Sequence, residues 1–437
     1  MKKNMNIFEK LANNIITGGL RKELYNINKI KKNEKLDMYV GENALYEGFA
    51  LESIQSEKED SSKLKSELRD YFKKEQKYPE EIGNHPDFAH LENEVEKHYA
   101  VSVFVDIKGS TKLATIKKLS LEDVREIKNR ILTTAISIFQ VFDGHIHRLQ
   151  GDAIFALFVR KDKSKEESII DALNAVTILQ HVFQNVLSKI FEEAELPSID
   201  IRTGLDFGDD QDVLWSKYGI DGCNEITTTS IYTDLAAKLQ HKARANNIMI
   251  GDNIRNKLDL PEEFYKEKIR MENGEKVKDL YILDYKEFRY RMWEFNWTKY
   301  ISYFPQLPNN QYALSCYSYF PYSDFEVICK YEDENGEMKK YERNSKILPK
   351  GIKLLFSVNI LNPYLATLTK SFEWEVNNRG FEASKNGVTQ FKTPAHIDRP
   401  FECPQSTAYK GHHYMKLKIK SSEGRTIGED NFGIFIE

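Results

Sequence analysis

The apolar and polar positions between residues 100 and 284 predict strands and helices in one order. Residues 101–106 form an apolar run that is typical of a buried strand. A helical stripe of apolar residues follows, and Ser120 with Asp123 three positions later indicates a capping box at its start. Residues 145–158 predict a hairpin whose strands flank a turn at residues 150–152.

The same pattern continues to residue 284. The further predicted elements are a helix over 169–190, a strand over 199–207, a helix over 231–245 and strands over 248–251 and 279–284. Both helical stripes are expected to pack on a sheet. The order βαββαβ, with additions, predicts an α+β domain of the ferredoxin-like, split-βαβ type.

The composition changes from about Trp293 onward, where aromatic and β-branched residues alternate with turn signals and predict a C-terminal β-sandwich. Its predicted strands lie at 325–331, 353–360, 372–376 and 413–419. The predicted domains are therefore a helical N-terminal region over 1–98, a central domain over 99–290 and the sandwich over 291–437.

The N-terminal region is polar and is predicted to be helical in pieces. Within residues 57–77, which are rich in mixed charge, the apolar side chains share one helical face, and they are Leu64, Leu68, Tyr71 and Phe72. That face is expected to dock on the central domain or on a second subunit rather than to act alone.

Composition and charge narrow the class of protein. A chain of 437 residues with 41% hydrophobic content can bury two or three cores, and a net charge of -4 gives no reason to expect nucleic acid or an anionic membrane as a partner. The cysteines show no metal-binding spacing and are expected to be reduced, and they are Cys223, Cys316, Cys329 and Cys403. No apolar run is long enough to cross a bilayer, and the start lacks a signal peptide, so a cytoplasmic location is expected.

Two carboxylates, Asp106 and Asp152, stand at the ends of two apolar runs that adjacent strands would bring together. Mg²⁺ and Mn²⁺ prefer oxygen ligands, and one or two carboxylates suffice when a polyphosphate completes the shell. The small residues after Asp106 can present free amides to phosphate at a helix start, and the segment is Lys108, Gly109, Ser110 and Thr111.

Each of these features alone is also typical of a plain turn with a helix cap. The two turns in this order around a helix are what indicate a nucleotide site. His85, His145 and His147 have no acidic or cysteine partner at metal-binding spacing, so they are expected to be structural.

In residues 104–111 and 149–155 the sequence resembles the metal-binding strands of the class III nucleotidyl cyclases, and residues 201–208 resemble a later Gly-rich strand of that family. Within the family the chain looks most like the bacterial pyrimidine cyclases of the Pycsar antiphage system. Residues 374–380 and 406–414 resemble the sensor domain that follows some bacterial nucleotide-second-messenger synthases, which would bind an activating ligand.

The resemblance implies a metal site and a reaction. Two Mg²⁺ or Mn²⁺ ions would be held by Asp106, Asp152 and the carbonyl of Ile107, so that the ribose 3'-hydroxyl displaces pyrophosphate from a nucleoside triphosphate. Lys238 stands where the family carries an arginine against charge on the α-phosphate. Asp234 stands in place of an asparagine, and it could orient the ribose or brace Lys238 four residues away.

Arg148 aligns with the position that purine cyclases use to recognise the base. Arginine only donates hydrogen bonds, and both uracil and cytosine offer acceptors, so either pyrimidine fits. Of the two, UTP is the predicted substrate. A second base-recognition segment, residues 225–230, is rich in hydroxyls. The alternative for Arg148 is an exposed strand cation that pairs with a carboxylate. A further cation is expected near the triphosphate, and the candidates are Arg270, Lys276 and Lys278.

In this family the active site lies between two catalytic domains. Because the chain has one copy of each element, a head-to-tail homodimer is expected, in which Asp106 and Asp152 of one subunit face Lys238 of the other. The alternatives are a purine cyclase and a cyclase-like regulatory module that binds nucleotide without turnover. A diguanylate cyclase is disfavoured because the turn at 150–154 lacks that family's second acidic residue, and a polymerase because no basic stripe accompanies the site.

Overall fold

The structure is a computed structural model, and it describes residues 65, 66, 69, 70, 72, 74, 81–116, 119–193, 196, 199–283, 288–304, 312 and 319–437. Most of the predicted helical region over 1–98 therefore lies outside the described residues, as do Leu64, Leu68 and Tyr71 of the predicted docking face.

The strands up to residue 295 are, in chain order, β1 (Glu96–Lys97), β2 (Ala100–Lys108), β3 (His145–Gln150), β4 (Ala153–Phe158), β5 (Asp200–Gly208), β6 (Leu214–Ile220), β7 (Cys223–Thr229), β8 (Asn247–Gly251), β9 (Tyr265–Glu267), β10 (Ile269–Glu272), β11 (Glu275–Lys278), β12 (Tyr281–Leu283), β13 (Phe288–Tyr290) and β14 (Met292–Phe295). The later strands are β15 (Phe325–Glu332), β16 (Met338–Tyr341), β17 (Ile347–Leu348), β18 (Lys353–Ile360), β19 (Thr369–Asn377), β20 (Gln390–Thr393), β21 (Glu402–Ser406), β22 (Gly411–Ser421) and β23 (Thr426–Ile436).

The α-helices are α1 (Ser110–Leu113), α2 (Leu121–Val141), α3 (Lys165–Val182), α4 (Ser188–Glu193), α5 (Ile231–Lys242), α6 (Asp252–Lys257), α7 (Trp297–Ile301), α8 (Pro363–Leu368) and α9 (Phe381–Lys385). A π-helical turn, Phe183–Leu187, joins α3 to α4. The capping box predicted for α2 is confirmed, because Ser120 Oγ accepts from the amide of Asp123 at 3.1 Å and the carboxylate of Asp123 accepts from the amide of Ser120 at 2.9 Å.

Seven strands form the central sheet in the spatial order β3-β4-β2-β5-β8-β14-β9. The pair β5 and β8 is parallel, and the other neighbours are antiparallel. β6 and β7 form a separate hairpin with β1. The predicted α+β fold class is confirmed.

The predicted strand over 279–284 is present as β12, but it lies outside the central sheet. β12 pairs with β13 in a separate hairpin, and β14 and β9 complete the sheet instead. Burial explains the difference, since Met292, Trp293 and Phe295 are buried in β14, whereas Ile282 in β12 is 48% exposed. The sheet thus extends past residue 290, where the central domain was predicted to end.

Helices cover both faces of the central sheet. The residues of β2 at odd positions pack in the main core together with α2 and α3, while α5 lies against β2, β5 and β8. α3 has no solvent face, since residues 168–182 are all buried. Its outer side contacts the C-terminal domain, where the side-chain amide of Asn174 donates to the carbonyl of Asn344 at 2.8 Å.

The C-terminal domain is a β-sandwich, as predicted. Its two sheets have the orders β16-β15-β18-β21 and β17-β23-β22-β19-β20, and a second core lies between them. Arg379 connects it to the central domain: its guanidinium donates to the hydroxyl of Tyr303 at 2.8 Å and forms an ion pair with Glu263. Phe435 of β23 belongs to the core of the central domain.

The described residues near 70 dock on the central domain, as expected for this segment. The ring of Phe72 lies 4.6 Å from that of Phe142, and Lys74 forms an ion pair with Asp171. No helix in the described part of the chain is long and apolar enough to span a membrane.

Candidate active site

The two carboxylates of the predicted metal site lie on neighbouring strands. Asp106 is near the end of β2, directly opposite Ala153 of β4. Asp152 precedes Ala153 in the turn between β3 and β4, where Gly151 takes a left-handed φ of 65°. Neighbouring strands lie about 4.8 Å apart, so the backbone positions of the two carboxylates are adjacent.

Arg202 contacts Asp106, and this contact was not predicted. The two residues are directly opposite on β5 and β2, and the Arg202 Nε donates to Asp106 Oδ2 at 3.1 Å while a second guanidinium nitrogen contacts the same oxygen. No hydrogen bond to Asp106 Oδ1 is found among the described residues. Only the register of β2 and β5 could have revealed Arg202, because its own strand otherwise looks like an ordinary apolar run.

The segment after Asp106 turns sharply into the short helix α1. Gly109 is its N-cap, with a φ of 96° that favours glycine. Ile107 is buried, whereas the side chains of Lys108 and Thr111 are exposed. Ser110 is the first residue of α1. The segment is therefore on the surface beside Asp106, and its role toward phosphate stays a prediction.

Asp234 and Lys238 lie on the outer face of α5. Both are exposed, while Leu235, Ala236 and Leu239 of the same helix face the core. Within the described residues, neither side chain forms an ion pair with the other or with Asp106. The alternative in which Asp234 braces Lys238 therefore has no contact to support it, and one subunit alone does not bring Lys238 onto Asp106.

Arg148 forms an ion pair with Glu225, the first residue of the predicted base-recognition segment. This contact matches the alternative of a strand cation paired with a carboxylate. Next to Arg148 on the same sheet, the rings of Phe104 and Phe155 stack with centroids 4.3 Å apart. The cations left open for the triphosphate lie on the β10–β11 hairpin, where Arg270 pairs with Glu272 and Lys278 with Glu267.

The histidines have the structural role that was expected. The Nε2 of His145 and the Nδ1 of His147 lie 2.7 and 3.0 Å from the carbonyl of Gly83, so these nitrogens carry the protons and donate. Burial lowers the pKa of His145 to about 4 and lowers the pKa of His147. His85, buried beside Arg160, also has a pKa well below its usual value.

The donor set fits a divalent ion only together with substrate. The described residues hold no group of three or more His, Cys, Asp or Glu that could bind a metal alone. Two carboxylates and the carbonyl of Ile107 match the partial oxygen shell that Mg²⁺ takes when phosphate oxygens complete it. Because Arg202 engages only Oδ2 of Asp106, the other oxygen remains for such an ion.

A small cavity lies between the sheets of the sandwich, lined by residues that include Phe356, Asn378 and His413. Its volume of about 30 Å³ holds one or two water molecules. No ligand of the sandwich is assigned from it.

Comparisons with known proteins show which families the chain is similar to. Residues 297–437 match the family model described as the Adenylyl/Guanylyl and SMODS C-terminal sensor domain. A cytidylate cyclase from Staphylococcus aureus is 42% identical over 384 residues, covering 87% of this chain and 89% of the relative. A cytidylate cyclase from Escherichia coli is 34% identical over 380 residues, covering 82% and 78% of the two chains.

Among solved structures, the adenylyl cyclase CyaB of P. aeruginosa superposes with a TM-score of 0.39 at 15% identity, covering 46% of this chain and 95% of that chain. The two cytidylate cyclases match 87% and 82% of this chain, and they confirm the resemblance found in the sequence. The chain therefore belongs to the class III nucleotidyl cyclases, within the group of pyrimidine cyclases that carry a C-terminal sensor domain.

Proposed function

We propose that this protein converts CTP to 3',5'-cyclic CMP and pyrophosphate at sites shared between two subunits, and that it generates the signal of an antiphage defence system. The sequence analysis predicted UTP as the substrate. The names of the relatives, which are cytidylate cyclases, favour CTP instead.

One observation carries the proposal. Asp106 and the residue after Asp152 are directly opposite each other on adjacent strands, beside the exposed segment at 108–111. Asp106, Asp152 and the carbonyl of Ile107 would hold two Mg²⁺ or Mn²⁺ ions together with the triphosphate. Bound there, such ions lower the pKa of the ribose 3'-hydroxyl and offset the negative charge of the leaving pyrophosphate.

The protein residues position the substrate for one intramolecular displacement. The ribose 3'-hydroxyl loses its proton to water and its oxygen bonds to the α-phosphorus. The bond from that phosphorus to the bridging oxygen breaks, and pyrophosphate leaves with the electron pair of that bond. Lys108, Gly109, Ser110 and Thr111 would contact the phosphates. Lys238 of the partner would place its positive charge against the α-phosphate, as a point charge rather than a bidentate fork.

Two further residues would orient the substrate. Asp234, one turn before Lys238 on the exposed face of α5, would accept a hydrogen bond from the ribose. Arg148 would donate to the acceptors of the pyrimidine ring.

The test is incubation of the purified protein with each of the four ribonucleoside triphosphates and Mn²⁺ or Mg²⁺, followed by separation of the products by mass. We expect cyclic CMP, and we expect Asp106→Asn to lower its formation by at least about a hundredfold. Asp221→Asn is the matched control, because Asp221 is fully exposed at the tip of the β6–β7 hairpin. Binding of CTP without any cyclic product would instead favour the regulatory module, and cyclic AMP or GMP would favour a purine cyclase.

A further inference from the structure

The contact between Arg148 and Glu225 joins two strands that belong to different sheets. β3 is an edge strand of the central sheet, and β7 belongs to the hairpin that pairs with β1. The two side chains are 47% and 40% exposed. An ion pair this exposed adds little to the stability of the fold, so folding alone gives little reason for it.

The loop at Gly83 and Asn84 fixes the distance between these strands. The carbonyl of Gly83 accepts hydrogen bonds from His145 and His147 of β3, as described above, and Asn84 Oδ1 accepts from the amide of Ile226 in β7 at 2.8 Å. Arg148 directly follows the anchored His147, and Glu225 directly precedes the anchored Ile226. The backbone positions of Arg148 and Glu225 are therefore held near each other by the same loop.

The pair presents a hydrogen-bond donor and an acceptor side by side. One nitrogen of Arg148 contacts Oε1 of Glu225, while Oε2 lies 4.0 Å from the Nε2 of His147, which has no hydrogen-bond partner in the described structure. Because the Nδ1 of His147 carries the ring proton, that Nε2 is an acceptor as well. Two acceptors, Oε2 of Glu225 and Nε2 of His147, thus face each other, and Arg148 is the donor beside them.

We propose that Glu225 is the residue that selects cytosine over uracil, by accepting a hydrogen bond from the exocyclic amine at N4 while Arg148 donates to N3 or O2. This proposal rests on the proposed function and deepens it. Cytosine offers a donor at N4 beside acceptors at N3 and O2, which complements the pair. Uracil instead offers the carbonyl O4 and an N3–H, so its O4 would meet a carboxylate and its N3–H would meet a guanidinium.

The placement of the pair agrees with this role. β7 leads through the cap residue Ser230 directly into α5, the helix of Lys238. Arg148 is opposite Phe155, whose ring stacks on Phe104, so a flat apolar surface lies next to the pair on the sheet. The donor and acceptor pattern distinguishes amino bases from keto bases.

The experiment compares kcat/KM for CTP and for UTP in the wild type and in Glu225→Gln. A glutamine amide can accept from N4 or donate to O4, so it removes the preference without emptying the site. We expect the CTP to UTP ratio to fall about ten- to hundredfold, through a gain with UTP as well as a loss with CTP. Glu423→Gln is the control, since it breaks an exposed Arg–Glu contact in the sandwich and should leave the ratio unchanged.

Binding keeps this inference separate from turnover. Dissociation constants of α,β-methylene CTP and α,β-methylene UTP, measured on the same variants, should show the same change in ratio. Normal cyclic CMP formation with an unchanged ratio in Glu225→Gln would overturn the role of Glu225 and leave the proposed function intact. Absence of any cyclic product, with the expected change in the binding ratio, would overturn the proposed function and keep the role of Glu225.

Discussion

The carboxylate of Asp106 is oriented by Arg202 through a single oxygen. The guanidinium restricts the orientation of the carboxylate, and it makes no hydrogen bond to the second oxygen, Oδ1. Groups that orient a metal ligand in this way commonly change metal affinity or activity by about 10- to 100-fold when they are lost. We therefore expect Arg202 to act as a positioning residue of the proposed site, through its contact with Asp106.

Protonation of His145 should limit stability in mild acid. Its folded pKa of about 4 lies below the value of about 6.5 in an unfolded chain. As the pH falls from 6.5 toward 4, the unfolded chain therefore gains a proton that the folded protein excludes, and the free energy of unfolding decreases. In His145→Gln, which keeps a donor for Gly83, we expect the loss between pH 7.5 and pH 5 to be about 2 kcal/mol smaller than in the wild type.

Urea unfolding at each pH measures this difference. His90→Gln is the matched control, because it makes the same replacement at a ring that is largely exposed. Equal slopes for His145→Gln and the wild type would contradict the buried, neutral state of this ring.

At the scale of single elements, the position of α5 depends on Gly204 of β5. A Cβ added there would lie 2.0 Å from the amide nitrogen of Gln240 and 2.5 Å from the carbonyl oxygen of Ala236. Both are backbone atoms of α5, so no side-chain movement can make room. The helix that carries Asp234 and Lys238 is thus held against the sheet at a distance that only glycine permits.

Gly204→Ala should therefore move α5 and destabilise the protein by about 3 kcal/mol, with a loss of cyclase activity at temperatures where the variant is still folded. Gly222→Ala is the control. Nothing lies within 4 Å of a Cβ at Gly222, whose φ is 79°, so only its left-handed backbone is penalised, by about 1 kcal/mol. Thermal unfolding and cyclase activity are measured on the two variants. Equal effects of Gly204→Ala and Gly222→Ala would contradict the close contact between α5 and Gly204 of β5.

The sequence predicted those elements that depend on residues close together along the chain. The capping box of α2 and the hairpin of β3 and β4 follow from neighbouring residues, and the positions of Asp106 and Asp152 follow with them. The choice of β14 over β12 as the sheet strand depends on contacts across the fold, which apolar runs of three or four residues do not specify. Arg202 and the partner of Arg148 likewise required the register between distant strands.

The outer side of α3 illustrates the same limit. Its apolar stripe predicted one face against a sheet, but Asn174, Thr177 and Gln180 are also buried. Polar residues on a helix normally indicate a solvent face. Here the hydroxyl of Tyr300 and the carbonyl of Asn344 satisfy Asn174, and no local pattern could anticipate that a second domain covers this side.

At the scale of the whole molecule, the proposed shared sites predict complementation between inactive variants. Asp106→Asn and Lys238→Met remove residues that the proposal assigns to opposite halves of a site. In a mixed dimer, one of the two sites would combine Asp106 from one chain with Lys238 from the other. Purification through both tags recovers only mixed dimers, and each has one intact site of two, so we expect about half of wild-type activity.

The measurement is cyclic CMP formation after the two variants are co-expressed with different affinity tags and purified through both. Asp106→Asn paired with a second copy of Asp106→Asn is the control, and it should remain inactive. Failure of the mixed dimers to regain activity, with each variant folded, would place Asp106 and Lys238 in the same subunit's site.

The burial of Phe435 in the core of the central domain has a consequence for biosynthesis. β23 is translated after every strand of the central sheet, and until it arrives the packing around Tyr300 and Tyr303 is incomplete. A ribosome-bound chain in which only the central domain has been synthesised therefore lacks part of its hydrophobic core. The order of synthesis thus delays a fully packed enzyme until its own sensor has emerged beside it.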